Sequence, residues 1–151
     1  MKRWLNDEEG GVYPLAAGII IFVLAFGGLL IDGGMTIYHH TKLSSAVDAA
    51  TVATLDAYDR ELWEESGEIS LNDNEVRAIA TRYLTQNMEE ASIRNLTIDA
   101  SRNRVTLEAS ATAPLFFMAM FNQYETEVQA SASASLDDSN FEGGEEEESD
   151  D

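Results

Sequence analysis

Residues 10–31, GGVYPLAAGIIIFVLAFGGLLI, contain no charged residue, and this run constrains the chain more than any other feature. At about 1.5 Å rise per residue, a helix of this length covers roughly 33 Å, enough for the ~30 Å hydrocarbon core of a bilayer. A soluble fold would have to surround a helix that is apolar on every face, and a 151-residue acidic chain offers no core that deep. A cleaved secretory signal is the other competitor. Residues 32–35, Asp-Gly-Gly-Met, provide no small-x-small cleavage site, so a retained anchor is expected. Lys2 and Arg3 precede the run and only Lys42 lies soon after it, which places the amino terminus in the cytoplasm and the rest of the chain outside.

On a helical wheel Pro14, Gly18, Ala25, Gly28 and Asp32 fall within about 40° of one line. Small side chains let another helix approach closely in lipid, so Gly18, Ala25, Gly28 and Asp32 form a candidate packing face. Ile21 sits on the same line and no strict GxxxG is present. Asp32 ends the run at the outer interface, where its carboxylate is expected to reach water.

The helical pattern continues past the span through Leu43, Val47, Ala50, Leu55, Tyr58 and Leu62, which predicts one long helix, with room for a kink, to about Glu65. Residues 67–73 break it. Asn72 with Glu75 resembles a capping box, and Val76, Ile79, Ala80, Tyr83, Leu84 and Met88 form the stripe of a second, amphipathic helix. The period then shifts to two. Leu96, Ile98 and Ala100 form one apolar set, Val105, Leu107, Ala109, Ala111 and Ala113 a second, and Val128, Ala130, Ala132, Ala134 and Leu136 a third, with residues 101–104 as a turn. The expected fold class is α+β: an N-terminal transmembrane helix continuing outside the membrane, a second amphipathic helix, and a small three-stranded antiparallel sheet covered by them. The segment 115–121, LFFMAMF, is too short to span a bilayer; core packing is the expected role, with a dip into the lipid headgroups as the alternative.

Charge divides the chain further. Of 28 acidic residues, nine lie in 137–151, where there is no Lys or Arg, so this tail is expected to be disordered. The predicted organisation is a cytoplasmic N-terminus (1–9), a transmembrane helix (10–31), an extracytoplasmic α+β domain (32–136) and an acidic tail (137–151). A net charge of -19 argues against nucleic acid as a partner, and the absence of cysteine removes disulfides, thiolate metal sites and cysteine nucleophiles. His39 and His40 are adjacent and point about 100° apart on a helix, unlike an i, i+4 metal pair. Glu61, Glu64, Glu65 and Glu68 read as a solvated acidic face, because no loop of alternating oxygen ligands accompanies them. Asn95 opens an N-x-T acceptor. No serine has a histidine base at a suggestive spacing and no glycine-rich phosphate loop is present, so neither catalysis nor a cofactor is expected.

The span, IDGGMTIY at 31–38 and KLSSAVDAATVATLDA at 42–57 resemble the TadE/TadG-like family of Flp-type (Tad) pilus-assembly proteins. The residues matching its pattern are Asp32, Gly33, Tyr38, Leu43, Asp48, Ala49 and Ala50. Residues 106–121 and 127–136 resemble the family's strand, apolar segment and final strand, so the likeness extends over about 4–136. The resemblance implies a pilin-like or accessory component at a prokaryotic cell surface. It would be anchored singly in the cytoplasmic membrane and act by assembly with lipid, other pilin-like subunits, Tad secretion-machine proteins or further copies of itself. It also implies a processing site at Gly10 or Gly11 in members resembling prepilins. Cutting there places Leu15 or Ala16 at the fifth mature position, where such members carry glutamate, and the arginine often found after the aspartate–glycine step is missing, which points toward the unprocessed TadG-like branch. The alternative function is a surface-anchored acidic module for cations or a basic partner.

Overall fold

The computed structural model describes residues 12–67 and 69–136. The expected cytoplasmic N-terminus, Gly10 and Gly11, Glu68 and the acidic tail lie outside the described residues.

Helix α1 runs unbroken from Val12 to Ala53, 42 residues, or roughly 63 Å of rod. Its first half is apolar all round, and the side chains of Leu15, Ile20, Phe22, Leu24 and Leu30 are exposed. Among the described residues this is the one helix long and apolar enough to cross a membrane. Its second half is one-sided. Leu43, Ala46, Val47 and Ala50 are buried, while Ile37, Tyr38, Ser45, Asp48 and Val52 face outward.

The rod stops earlier than periodicity predicts. Residues Thr54–Ala57 tighten into a 3-10 turn, Tyr58 and Asp59 are extended, and a short helix α2 follows at Arg60–Ser66. Two side chains bond back to the preceding turn at the break, the Thr51 hydroxyl to the Val47 carbonyl and the Thr54 hydroxyl to that of Thr51. Asp59 then caps α2 through the amides of Glu61 and Leu62. Tyr58 pairs with Leu71, and Asn72 N–H donates to the Ala57 carbonyl, so 58–71 is a closed excursion from the main fold. Helix α3, Asp73–Asn87, starts at Asn72, whose side chain accepts from the amides of Asn74 and Glu75. Its expected stripe is buried at Val76, Ile79, Ala80, Leu84 and the following Met88, with Tyr83 partly so.

Strands β1 (Ser92–Asp99), β2 (Arg104–Pro114) and β3 (Glu125–Ser135) form an antiparallel sheet in that order. The register puts Leu96 beside Leu107, Leu107 beside Ala132, and Ala109 beside Ala130. Helix α1 lies across β2 and β3, and α3 packs on α1 and β1. The alanines explain the arrangement, because a face of short side chains admits the α1 backbone closely enough for Leu43 and Val47 to fill the gap. Ala100 departs from its expected inward place: it lies exposed in the turn 100–103. A register irregularity between Ile93 and Asn95 resets the alternation in β1.

Candidate functional site

The connection between β2 and β3 makes an unusual return to α1. Residues 115–124, LFFMAMFNQY, carry no charge, and the loop is closed at its base by Leu115 N–H donating to the Tyr124 carbonyl at 2.8 Å. A 3-10 turn at Met118–Phe121 forms its tip, and no local side chain caps that turn. Its leading amides therefore need an acceptor from elsewhere.

Asp32 supplies it from 84 residues away in sequence. One carboxylate oxygen accepts the N–H groups of Phe116 at 2.7 Å and Phe117 at 3.0 Å, and the other accepts that of Met118 at 2.8 Å. An anionic acceptor facing successive amides at the start of a helical turn is the arrangement that the turn's dipole favours. Asp32 is only 4% exposed, so the expected hydration of this carboxylate gives way to loop amides. The physical reason is that the loop folds back over it, a contact no local spacing announces.

Gly28, one turn earlier on the same face, receives the ring of Phe117. A Cβ there would overlap Cδ2 and Cγ of that ring and come within 2.9 Å of its Cβ, so the absent side chain is what admits it. Phe117 in turn meets Phe121 edge to face, with centroids 6.0 Å apart. The rest of the loop is not in the core. Phe116 is 62% exposed, Met120 79% and Phe121 65%, and the turn contains no buried residue, which overturns the core-packing expectation for LFFMAMF.

The other residues singled out from sequence separate into groups. Gly18 has open space around it, so it does not join Gly28 and Asp32 under the loop, and Ala25 is half-buried. Leu43 and Ala50 are fully buried against the sheet, whereas Gly33, Tyr38, Asp48 and Ala49 face outward. His39 lies beside Tyr38, the rings edge to face at 5.6 Å, and among the described residues the two histidines have no third ligand beside them. Sequence reasoning placed Gly28 and Asp32 on one face but missed Phe116, Phe117 and Met118 as their occupants. A faint signal existed in the uncharged loop of an acidic chain.

The sheet's outer face holds a separate ion pair. Arg94 contacts Glu127, and the Arg94 guanidinium, helped by Ser110, holds the Glu127 carboxyl below its ordinary pKa. Asp99 is likewise lowered, first by the Ser101 hydroxyl and then by its backbone amide and Arg102.

No curated protein and no solved structure matches the chain. The Tad family model, Flp pilus-assembly TadE/G-like, matches residues 10–57, a shorter stretch than the 4–136 expected from the sequence. The matched stretch holds Gly28, Asp32 and the whole one-sided half of α1, and it is over these residues that the chain is similar to the Tad/Flp pilus-assembly family.

Proposed function

We propose that the protein is a membrane-anchored, pilin-like accessory component of a Tad pilus-assembly system, acting through helix packing rather than catalysis. The observation that carries this reading is the coincidence of the Tad match with a single continuous helix whose first half is apolar and exposed and whose second half is packed on a sheet. Residues 10–31 hold the chain in the cytoplasmic membrane with the amino terminus inside, and 32–136 stand outside as a rigid head. The exposed surface of α1 around Gly18 and the outward-facing Tyr38, Asp48 and Ala49 are where other pilin-like subunits or machine components would pack.

The test is the intact mass and amino-terminal sequence of the native protein extracted from membranes, together with its distribution between membranes and sheared surface fibres. An uncut chain that stays with the membrane fraction and co-purifies with Tad components is the expected result. A chain beginning at Gly11 or Val12 and found in the fibres makes it a processed filament subunit instead. Release as a soluble, unassociated domain would overturn the reading.

A further inference from the structure

The β2–β3 loop has an apolar outer surface that no other described residue covers, and its position is fixed relative to α1. Asp32, which binds its amides, is the first charged residue after the uncharged run 10–31. Phe117 reaches back to Gly28, four residues into that run, or about 6 Å along the helix axis. Interfacial segments bury their apolar faces about 5–10 Å into the boundary between headgroups and acyl chains, so the depth agrees. The loop's composition agrees as well. Phe116, Met120 and Phe121 are apolar and exposed, Tyr124 is an exposed amphipathic ring at the base, and no charge lies between Pro114 and Glu125 in a chain of net charge -19.

From this geometry we infer that the loop 115–124 is a second membrane contact, inserted into the outer leaflet beside the anchor helix. Its amides at 116–118 are at a depth where water is scarce, and Asp32 satisfies them there. Two attachments separated in sequence by about eighty residues, but joined through Asp32 and Gly28, fix the tilt of the extracytoplasmic head on the bilayer. A single helix would leave the head free to rotate about its axis; the loop removes that freedom. This inference rests on α1 spanning the membrane.

The chain has no cysteine, so single substitutions accept one nitroxide label each. Full-length protein carrying Met120→Cys, Phe121→Cys, Leu24→Cys or Ser131→Cys is reconstituted into phosphatidylethanolamine–phosphatidylglycerol vesicles, and relaxation by oxygen is compared with relaxation by a water-soluble nickel chelate. All four positions are exposed, so each label leaves the core intact. The expected result is that oxygen dominates at 120, 121 and 24, while the order reverses at 131 on the sheet's outer face. Nickel dominance at 120 and 121 with oxygen dominance at 24 overturns the inference and leaves the anchor standing. Shielding from both probes with spin–spin broadening at 120 and 121 overturns it in favour of a second copy. Nickel dominance at 24 overturns both.

Discussion

The two connections of the sheet are built from opposite materials. The β1–β2 turn, residues 100–103, is short and polar: the Asp99 carboxylate accepts from the Ser101 hydroxyl and amide, and Arg102 lies beside it. The β2–β3 connection, residues 115–124, is long and uncharged, and it is held by an aspartate from another element. Both use a left-handed asparagine, Asn103 at φ 45° and Asn122 at φ 64°, so backbone chemistry does not separate them. What separates them is the neighbourhood. The polar turn organises its own hydrogen bonds, as a segment in water can, whereas the apolar loop reaches α1 where that helix becomes uniformly apolar. The sheet thus has a polar end and an apolar end, and Asp32 marks the second.

The hardest way to break this asymmetry is to remove the acceptor. Asp32→Ala leaves three amides without a partner and should free the loop while the sheet survives. Hydrogen exchange in nanodiscs should show amides 116–118 exchanging about a hundredfold faster, with those of β2 nearly unchanged. Asp32→Asn keeps the shape but turns a donor toward one of the amides, so it should fall between. Equal acceleration throughout β2 and β3 would mean that Asp32 holds the whole sheet, and the comparison between its two ends would lose its basis.

Two glycines on one wheel line sharpen the point. Gly28→Val drives a side chain into Phe117, whereas Gly18→Val enters open space. Overpacking should cost the first variant about 1–3 kcal/mol in unfolding free energy, with the second near wild type. Thermal unfolding of the two in the same lipid reads the difference, and equal stabilities would deny the close approach at Gly28.

Replacing the left-handed asparagines tests what the two connections share. Asn103→Ala and Asn122→Ala should each lose about 1 kcal/mol, because alanine tolerates the left-handed region less well than asparagine. Glycine at either position should restore most of the loss. Chemical denaturation of the two pairs provides the measurement, and a loss at only one site would show that the connections differ in backbone as well as in environment.

Periodicity revealed most of the fold because most of it is local. The spacing of Val76, Ile79, Ala80 and Leu84, the Asn72 cap, and the alternation of Val105, Leu107, Ala109 and Ala111 are patterns within a few residues, and each is buried or bonded as its pattern requires. The end of α1 was less legible, since alanine-rich residues 49–57 favour a helix locally and the break depends on Tyr58 pairing with Leu71. The Asp32 site was least legible. Its parts are 84 residues apart, and a lone aspartate after an apolar run looks the same whether it faces water or receives backbone amides. The apolar loop was visible, but its partner was not.

The smallest expected effect lies on the sheet's outer face, away from both ends. Arg94 and Glu127 are about half exposed, so their pairing contributes little to stability. Its direction with pH is nonetheless determined. The folded Glu127 carboxyl is held below its ordinary value by Arg94, so the unfolded chain takes up a proton at higher pH than the folded one. The pair's contribution is therefore complete above the unfolded carboxyl's pKa and disappears as pH falls through the lowered folded one. Arg94→Ala should lower the denaturation midpoint slightly at neutral pH and match wild type in strong acid. Denaturant curves at the two conditions test this. A gap that persists in acid would mean that Arg94 acts through its hydrogen bond to the Ser110 hydroxyl or its packing on β2, and that this face, like the apolar loop, is held by more than its charges.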